Sequence, residues 1–368
     1  MVDMAETAKR VVKIPVIAVG KLGYPELAER VLKEKRADFV AMGRSLLADP
    51  EWPLKVKEGR LEDIRPCIGC QDGCLARITI GAYISCAVNP AAGNEKEFTV
   101  ARADKPKSVL VVGGGIAGME AARVAALRGH KATLYEKRDR LGGHLIEGSV
   151  PPFKHDLELL REYYVTLLEK LGVKAVLGKE VTAKLVQEMK PDVVIIATGS
   201  TPIIPKIPGI EKDKVVSAID LLLGRKKAGD RVVVAGGGLV GCETAIYLAQ
   251  KGKRVTIVEM LEEIIPDVFE ANKQNLFKML AENDVSVLTN TNLVRVTDKG
   301  AAVINQFRRY EAELPADTIV IAMGLKPERG LAKALEGKVK ELHAIGDCEG
   351  AGRIIDAIWG AFHAVRML

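Results

Sequence analysis

Four of the six cysteines in this chain of 368 residues are clustered at a spacing that suits a metal centre. They follow the pattern C-x2-C-x3-C-x11-C: Cys67, Cys70, Cys74 and Cys86. Four thiolates are what a cuboidal iron–sulfur cluster requires, one for each iron, and Gly69 and Gly73 give the loop the backbone freedom to wrap around it. Structural zinc is the competing interpretation, but zinc sites usually contain paired CxxC elements. The spacing therefore favours these cysteines as ligands of one 4Fe–4S cluster.

A glycine-rich turn is the second chemical signal. Gly113, Gly115 and Gly118 follow the apolar strand Val109–Val112 and open a helix. The first glycine permits a tight turn, the second lets backbone N–H groups approach a pyrophosphate, and the third allows close packing of helix and strand. Glu136 comes 21 residues after Gly115, where a carboxylate accepts hydrogen bonds from ribose hydroxyls. This arrangement predicts a dinucleotide site.

The same unit occurs twice. Residues 108–137 align without gaps on residues 231–260, at an offset of 123. The second copy supplies a second set of candidate residues: Gly236, Gly238, Gly241 and Glu259. A lone GxGxxG motif is weak evidence, but here each copy has the strand, the helix and the acid in place. Two copies predict two similar domains rather than a solenoid, which needs at least three repeats, and we expect two dinucleotides to bind.

The elements that hold these motifs alternate between strand-like and helix-like segments, which predicts an α/β fold with parallel sheets. The first block is expected to form a βαβ unit and one further helix: strand Ile14–Val19, helix Tyr24–Lys35, strand Asp38–Met42 and helix Trp52–Glu58. Residues 61–100 have no lasting periodicity and are expected to be an irregular segment shaped around a bound group. Later elements follow: strands Val193–Gly199, Thr318–Gly324 and Leu342–Ile345, an extended crossover Thr201–Gly209, and a last helix from Ile354 to Leu368.

Composition excludes several classes of protein. Lys and Arg number 54 against 48 Asp and Glu, and the two signs are interspersed. With aromatic residues at 4%, the chain lacks the basic clusters and stacking platforms of a nucleic-acid-binding protein. No run of apolar residues is long enough to cross a membrane, and the N-terminal residues do not form a signal peptide. We therefore expect a cytoplasmic protein, in which clustered cysteines indicate a metal site rather than disulfides.

The paired turns resemble the two-dinucleotide flavoprotein family, in which FAD occupies the first domain and a nicotinamide nucleotide the second. The resemblance covers about residues 107–368 and includes Gly142-Gly143, Ala197-Thr198-Gly199 and Gly346-Asp347. It implies further FAD contacts outside the first turn: Gly143, His144, Thr198, Gly199, Gly346 and Asp347. In this family the last aspartate approaches the ribityl chain of the flavin.

The disulfide-reductase branch of that family carries a redox cysteine pair on the helix that faces the flavin. The corresponding stretch here, Gly142–Ser149, contains no cysteine, which disfavours a dithiol mechanism. Cys242 and Cys348 lie more than 100 residues apart. We expect each of them to be a small buried hydrophobic residue.

The cysteine spacing and its neighbours, CIGC and CAVNP, resemble the family of 2-enoate reductase, 2,4-dienoyl-CoA reductase and trimethylamine dehydrogenase. There a 4Fe–4S cluster lies between an FMN-binding barrel and an FAD/nicotinamide module. Residues 1–66 resemble the end of that barrel, with its seventh strand before Gly20 and its eighth before Gly43. The resemblance implies a remnant of an FMN phosphate site, because loops after these two strands of a (β/α)₈ barrel commonly bind phosphate: Gly20, Lys21, Gly43 and Arg44.

Two strands cannot close a barrel that needs eight. We therefore expect this block to be partly unfolded or to expose apolar surface, and we expect FMN to bind only if another chain supplies the missing barrel. The predicted domains run in this order: 1–60, barrel remnant; 61–100, iron–sulfur segment; 107–212, first part of the FAD-binding domain; 213–325, NADH-binding domain; 326–368, return to the FAD-binding domain.

The resemblance implies an electron path from NADH to FAD, to the 4Fe–4S cluster, and then to FMN or an external acceptor. The chain is thus interpreted as the electron-input half of an enoate (C=C) reductase whose substrate is an enoate or enoyl-CoA, with no catalytic residue assigned. Two alternatives stay open: a subunit that delivers electrons to a separate acceptor protein, and an inactive fragment. NADH is expected over NADPH, because Glu259 and the acidic residues after it, Glu262 and Glu263, disfavour a 2′-phosphate.

Overall fold

The computed structural model describes all 368 residues of the chain. The N-terminal block folds into six short elements: α1 (Val2–Val11), β1 (Ile17–Val19), α2 (Pro25–Lys33), β2 (Phe39–Ala41), α3 (Arg44–Ala48) and α4 (Trp52–Lys57). The two strands pair in parallel, with Ile17 opposite Phe39. The expected βαβ unit is therefore present, although each strand is shorter than its apolar run.

This block is folded but exposes apolar side chains. Helices α1 and α2 cover one face of the two strands, where Ala18 and Val31 are almost fully buried. On the other face Ile17 is 60% exposed and Phe39 is 57% exposed. Of the two expected outcomes, an unfolded block or an exposed apolar surface, the structure has the second.

The cysteine segment is irregular, as its lack of periodicity predicts. It contains a 3-10 turn at Leu61–Asp63 and one short helix, α5 (Leu75–Thr79), and it contributes no strand. The rest of its path is loop, and its final part leads into the first long strand.

The remaining chain forms two sheet-based units. The first begins with these elements: β3 (Ser108–Val112), α6 (Ile116–Leu127), β4 (Lys131–Tyr135), α7 (His144–Gly148), α8 (His155–Lys170), β5 (Lys174–Val176), α9 (Ala183–Met189), β6 (Val193–Ile196) and β7 (Ser200–Pro202). The second follows: β8 (Val215–Ser217), α10 (Ala218–Leu222), β9 (Arg231–Ala235), α11 (Leu239–Gln250), β10 (Arg254–Val258), α12 (Glu270–Glu282), β11 (Ser286–Leu288), β12 (Thr291–Val296), β13 (Gly300–Asn305), β14 (Tyr310–Pro315), β15 (Thr318–Ile321) and β16 (Leu325–Pro327). The chain then returns to the first unit: α13 (Gly330–Leu335), β17 (Leu342–Ala344) and α14 (Ile354–Arg366).

The two large sheets have the same plan. The first has the strand order β17-β6-β3-β4-β5, and the second has the order β8-β15-β9-β10-β11. All neighbouring strands in both sheets are parallel. This is the α/β architecture that the alternating pattern predicts. The short strands β7 and β16 pair between the two units.

The cores explain which elements position the glycine-rich turns. In the first unit, α6, α8 and α14 pack on one face of the sheet around Leu160 and Phe362. In the second, α11 and α12 cover one face and the antiparallel sheet β12-β13-β14 covers the other, with Leu293 and Val303 in that core.

Helix α8 and this antiparallel sheet lie outside the elements expected from the sequence. None of the helices combines the length and the apolar character needed to cross a membrane.

Candidate functional site

The first glycine-rich turn connects β3 to α6 under tight steric limits. Gly113 has φ 109°, and a Cβ there would overlap the carbonyl oxygen of Ala197. A Cβ on Gly118 would overlap the carbonyl oxygen of Gly113. Only glycine satisfies both positions, because one has a left-handed backbone and the other lies against a neighbouring carbonyl.

Glu136, at the end of β4, stabilises this turn through hydrogen bonds to backbone N–H groups. Its Oε2 accepts a hydrogen bond from the Gly114 N–H at 2.6 Å, and its Oε1 accepts one from the Arg138 N–H at 2.7 Å. The side chain is almost fully buried. Each carboxylate oxygen keeps a second lone pair, so the group can fix the turn and still accept a hydrogen bond from a ligand hydroxyl.

A pocket of about 630 Å³ opens beside this turn, within the usual range for small-molecule sites. Eight of the ten candidate FAD residues line it: Gly113, Gly115, Glu136, Gly143, His144, Thr198, Gly199 and Asp347. Gly118 and Gly346 do not line it, because they lie behind the pocket wall. There each allows the backbone to pack closely against α6 or the turn that precedes it. At Gly346, with φ 66°, a Cβ would lie 2.8 Å from the Cβ of Ala117.

The pocket also contains residues that sequence reasoning missed. Its lining includes five basic side chains: Lys137, Arg138, Lys179, Arg225 and Arg353. Arg138 contacts the Gly143 carbonyl at 3.3 Å and Glu147 at 3.2 Å. Arg138 lies two residues after Glu136, and a basic residue so close to that acid is the sequence signal that could have identified it, since a pyrophosphate needs cations nearby.

A hydrogen-bonded chain of side chains runs along one wall of the pocket. His144 Nδ1 lies 2.6 Å from Glu147 Oε1, and its Nε2 lies 3.2 Å from Ser200 Oγ. The Ser200 hydroxyl donates in turn to Asp347 Oδ2 at 2.9 Å. The hydrogen bond to Glu147 raises the pKa of His144 against the opposing effect of burial. Burial favours protonation of Glu147, but its contacts with His144 and Arg138 outweigh this and lower its pKa.

The second glycine-rich turn repeats the local geometry of the first. Gly236 has φ 111°, and a Cβ on Gly241 would overlap the Gly236 carbonyl oxygen. Glu259 Oε2 accepts from the Gly237 N–H at 2.6 Å, and Oε1 accepts from the Leu261 N–H at 2.8 Å. None of the four candidate NADH residues lines the 630 Å³ pocket, so the second site is separate from it.

One of the acidic residues that follow Glu259 pairs with a cation that the sequence interpretation did not include. Lys273, on α12, lies 2.7 Å from Glu263. This ion pair neutralises Glu263, one of the two acidic residues that were expected to assist Glu259, and Glu262 stays exposed.

The four clustered cysteines all line one small pocket of about 20 Å³. Arg44, Leu47 and Val88 complete much of its wall. Burial raises the pKa of Cys70 to about 12 and that of Cys86 to about 11, and it also raises the pKa of Cys67. Without a bound cation these groups are thiols, so ligation of a metal there must displace their protons.

Neighbouring backbone amides favour the thiolate form against the larger, opposing effect of burial. The amide of Gly69 acts to lower the pKa of Cys67, that of Asp72 the pKa of Cys70, and those of Val88 and Asn89 the pKa of Cys86. Hydrogen bonds of this kind stabilise thiolate over thiol and tune iron–sulfur centres. The remaining cysteines, Cys242 and Cys348, are buried in separate cores, as predicted.

The candidate FMN residues at the barrel-like end contact other parts of the chain. Lys21 Nζ lies 3.0 Å from Asp156 of α8. Gly43 precedes α3 and is exposed, and Arg44 is also exposed while it lines the cysteine pocket. A Cβ on Gly20 would lie 3.1 Å from the Met1 side chain. The structure places Arg44 beside the cysteines and Lys21 beside α8 of the first sheet unit.

Comparison with known proteins accounts for most of this architecture. Residues 107–358 match the pyridine nucleotide-disulphide oxidoreductase family. The chain belongs to this family. Residues 2–63 match a second family, NADH:flavin oxidoreductase / NADH oxidase. Both matches indicate flavin and pyridine nucleotide cofactors, and both agree with the resemblances drawn from the sequence.

Individual relatives are similar over nearly the whole chain. A cinnamate reductase from Clostridium sporogenes is 42% identical over 98% of this chain and 54% of its own length. An NADH oxidase from Thermoanaerobacter brockii is 42% identical over 98% of this chain and 56% of its own length. The solved complex of 2-naphthoyl-CoA reductase with 2-naphthoyl-CoA superposes with a TM-score of 0.95 at 36% identity, over 100% of this chain and 56% of that one. The chain therefore spans about half the length of the curated relatives it matches.

Proposed function

We propose that this chain is the electron-input half of an enoate-reductase-type oxidoreductase, which takes electrons from NADH and passes them on through an iron–sulfur centre. When bound, FAD would accept hydride from NADH, and a 4Fe–4S cluster would carry electrons singly towards FMN or an external acceptor. The first sheet unit, 107–212 with 326–368, would hold FAD, and the second, 213–325, would hold NADH. Residues 61–100 would hold the cluster.

Helix α14 is the observation that carries this proposal. Ile354 and Ala357, in its first turn, line the 630 Å³ pocket. Trp359, half a turn later, donates from its indole N–H to the Cys86 carbonyl at 3.0 Å. Five residues of helix span about 7.5 Å. One rigid element therefore forms a wall of the candidate FAD site and also contacts the cysteine pocket, which is the proximity that electron transfer between them requires.

The cysteine pocket suits a cluster better than a single ion. No three ligating side chains converge closely enough to hold one metal ion, yet all four cysteines line the same pocket. A mononuclear zinc site needs its four ligands within bonding distance of one atom, whereas a cuboidal cluster holds its ligands further apart. The neighbouring backbone amides and Arg44, which lines the pocket, would offset the negative charge of such a cluster.

The open face of β1 and β2 supports a role for additional barrel structure. Val19 is 50% exposed beside Ile17 and Phe39, and both strands present free edges. Strands from a further segment or chain would bury this face and complete an FMN pocket in which Arg44 could hold the phosphate. The names of the relatives indicate an α,β-unsaturated acid or thioester as the substrate class. They do not favour the alternative of delivery to a separate carrier protein.

The test uses the 368-residue chain purified without oxygen. Flavins are identified by chromatography, iron and sulfide are quantified, and NADH oxidation is assayed with ferricyanide, with cinnamate and with a dienoyl-CoA. We expect bound FAD, four irons per chain, and NADH-dependent reduction of ferricyanide without reduction of either enoate. Stoichiometric FMN, or turnover of an enoate by this chain alone, would contradict the proposal.

Cysteine variants separate the ligands from the structural thiols. Replacing Cys67, Cys70, Cys74 or Cys86 by alanine should remove the broad visible absorption and the EPR signal of the reduced protein. Cys242→Ala and Cys348→Ala are the matched controls and should retain both. Zinc in stoichiometric amount, with no iron, would exclude the cluster.

A further inference from the structure

We propose that Asn272 and Arg353 lock the second sheet unit onto the cysteine segment, and that this lock positions the nicotinamide nucleotide for hydride transfer to FAD. The inference rests on the proposed function, because it requires both nucleotides to bind. It goes further by assigning a positioning role to two residues that lie outside both glycine-rich turns and outside the cysteine motif.

The lock closes on three consecutive residues of the cysteine segment, Cys70, Gln71 and Asp72. Asn272, in the first turn of α12, uses both ends of its side-chain amide. Its Oδ1 accepts from Gln71 Nε2 at 2.6 Å, and its Nδ2 donates to the Cys70 carbonyl at 2.7 Å. One side chain of the second unit therefore binds both a side chain and the backbone of the cysteine segment.

Gln71 is an informative point for this contact, because its backbone is unusual. Its φ is 66°, in the left-handed region that a residue with a Cβ adopts only where its surroundings hold it. Its side chain also lines the cysteine pocket. The contact from Asn272 therefore falls on the turn that shapes the pocket, and removal of α12 would take away part of what holds this turn.

Arg353 makes the second half of the lock from the start of α14. Its Nη1 donates to Asp72 Oδ1 at 3.0 Å, and its Nη2 donates to the carbonyl of Asp267 in the second unit. Its own backbone N–H donates to Asp356 Oδ2 at 2.8 Å. Since Arg353 also lines the 630 Å³ pocket, one side chain connects the candidate FAD site, the cysteine segment and the second unit.

Two further contacts join the units: the paired strands β7 and β16, and the ion pair of Lys154 with Glu243 at 2.6 Å. Units connected by short strands are expected to move relative to each other unless other contacts restrain them. Glu243 lies on α11 and Asn272 lies on α12. The two helices that cover one face of the second sheet are thus tied to different parts of the chain, which opposes rotation of the unit about the strands.

A fixed orientation matters because hydride transfer is sensitive to distance. In this step NADH loses one hydride, with its two electrons, to become NAD⁺, and FAD takes up that hydride. The reacting atoms must approach to about 3–3.5 Å, and a misplacement of about 1 Å can slow a reaction about 100-fold. Helix α12 shares a core with α11, and α11 begins directly after Gly238 of the second turn. The lock therefore holds that turn, and a nucleotide bound to it, relative to the FAD site.

The kinetic test uses the full 368-residue chain with its bound flavin, in the absence of oxygen. Stopped-flow reduction of the flavin at several NADH concentrations separates the limiting rate from the apparent Kd. Asn272→Ala removes both hydrogen bonds and should lower the limiting rate about tenfold, with a Kd within about twofold of the wild type. Asp72→Asn weakens the contact with Arg353 and should lower the rate in the same direction by a smaller factor.

Hydrogen exchange measured by mass spectrometry gives a readout that does not depend on catalysis. In the flavin-loaded chain, the amides of residues 69–73 and 270–276 should exchange faster in Asn272→Ala than in the wild type, because the contact between the two segments is lost. Asn275→Ala is the matched control. Asn275 is exposed on the same helix, where its amide contacts Met279 Sδ at 3.6 Å, and this variant should keep the wild-type rate and exchange.

The outcomes separate this inference from the proposed function. A wild-type chain that binds FAD but is not reduced by NADH refutes the proposed function, and the positioning role with it. If the wild type is reduced, an unchanged or faster limiting rate in Asn272→Ala overturns only the lock. A change confined to Kd, or a slower rate without faster exchange, overturns it as well. Should Asn272→Ala fail to fold, Asp72→Asn is judged by the same criteria.

Discussion

The two glycine-rich units have almost identical turns and very different surroundings. In the first, Ala117 at the start of α6 is 7% exposed, and Gly142 pairs with Gly115 across the turn. In the second, Leu239 and Val240 at the start of α11 are 40% and 45% exposed. An enclosed turn favours a cofactor that stays bound, whereas an open turn suits one that enters and leaves in each catalytic cycle. The motif sets the type of ligand, and the structure around it sets how long the ligand stays.

A second contrast between the two units concerns one glutamate in α6 and its equivalent in α11. Glu120 and Glu243 are equivalent under the offset of 123 residues. Glu120 is fully buried and is held by Arg123 of its own helix. Glu243 pairs instead with Lys154 of the other unit at 2.6 Å, and burial raises its pKa. The two equivalent glutamates therefore have different roles. Glu120 stabilises its own unit, whereas Glu243 links the two units.

The largest expected effect comes from the last glycine of each turn. Gly118→Ala would force a Cβ into the Gly113 carbonyl. Since backbone atoms cannot move aside without a large cost in free energy, we expect the turn to be distorted and the chain to lose FAD on gel filtration. Gly241→Ala makes the same overlap in the second turn and should retain FAD while losing NADH-dependent ferricyanide reduction. Full FAD retention in Gly118→Ala would show that the first turn does not bind it.

The next effect concerns the two equivalent acids. Glu120→Gln leaves the buried Arg123 without its carboxylate and should cost about 3–5 kcal/mol in the free energy of unfolding. Glu243→Gln should cost about 1 kcal/mol or less, since Lys154 is 26% exposed and can be hydrated. Guanidinium denaturation of the two variants measures both values. Equal costs would remove the distinction between the internal pair and the pair that joins the units.

Cofactor selectivity should change by a smaller amount. Glu259 is expected to favour NADH over NADPH by about 10- to 100-fold, on the order of 1–3 kcal/mol, through repulsion of the 2′-phosphate. Glu259→Ala should reduce this preference, as measured by kcat/KM for both nucleotides with ferricyanide. Glu282→Ala is the control, because Glu282 is an exposed glutamate at the end of α12 that pairs with Lys278. A wild-type chain that prefers NADPH would contradict this assignment.

The smallest effect is a pH dependence confined to the first unit. The raised pKa of His144 contributes stability that is complete below its ordinary value of 6.5 and is lost as the pH rises through the raised value. The lowered pKa of Glu147 contributes stability that is complete above its ordinary value of 4.5 and is lost as the pH falls through the lowered value. The pair should therefore stabilise the fold most between pH 4.5 and 6.5.

Thermal unfolding of the wild type and of His144→Asn tests this window. Between about pH 6 and about pH 9 the wild type should lose about 1 kcal/mol more stability than the variant, a modest value because His144 is partly solvated. No matching histidine follows the second turn, so variants there should not show this dependence. Identical pH profiles for wild type and His144→Asn would contradict the role of the pair.

Sequence alone determined the features that depend on local chemistry. Each glycine turn, its acid and its flanking strand and helix are set within about thirty consecutive residues by backbone sterics and hydrogen bonding. The cysteine spacing is likewise readable, because a loop that wraps a cluster needs closely spaced ligands and glycines. Cys242 and Cys348 were correctly predicted to be buried, since isolated cysteines behave as small hydrophobic residues.

Only the tertiary structure decided which distant groups meet. Arg65 reaches Tyr163 across 98 residues, and Trp359 reaches Cys86 across 273 residues. No local periodicity encodes such contacts, because they arise when separate elements pack into one core. The different exposure of the two turns has the same origin: α14 returns from the end of the chain to cover α6, and no helix returns to cover the start of α11. The ligand class follows from local backbone geometry, whereas the enclosure of a bound ligand depends on long-range packing.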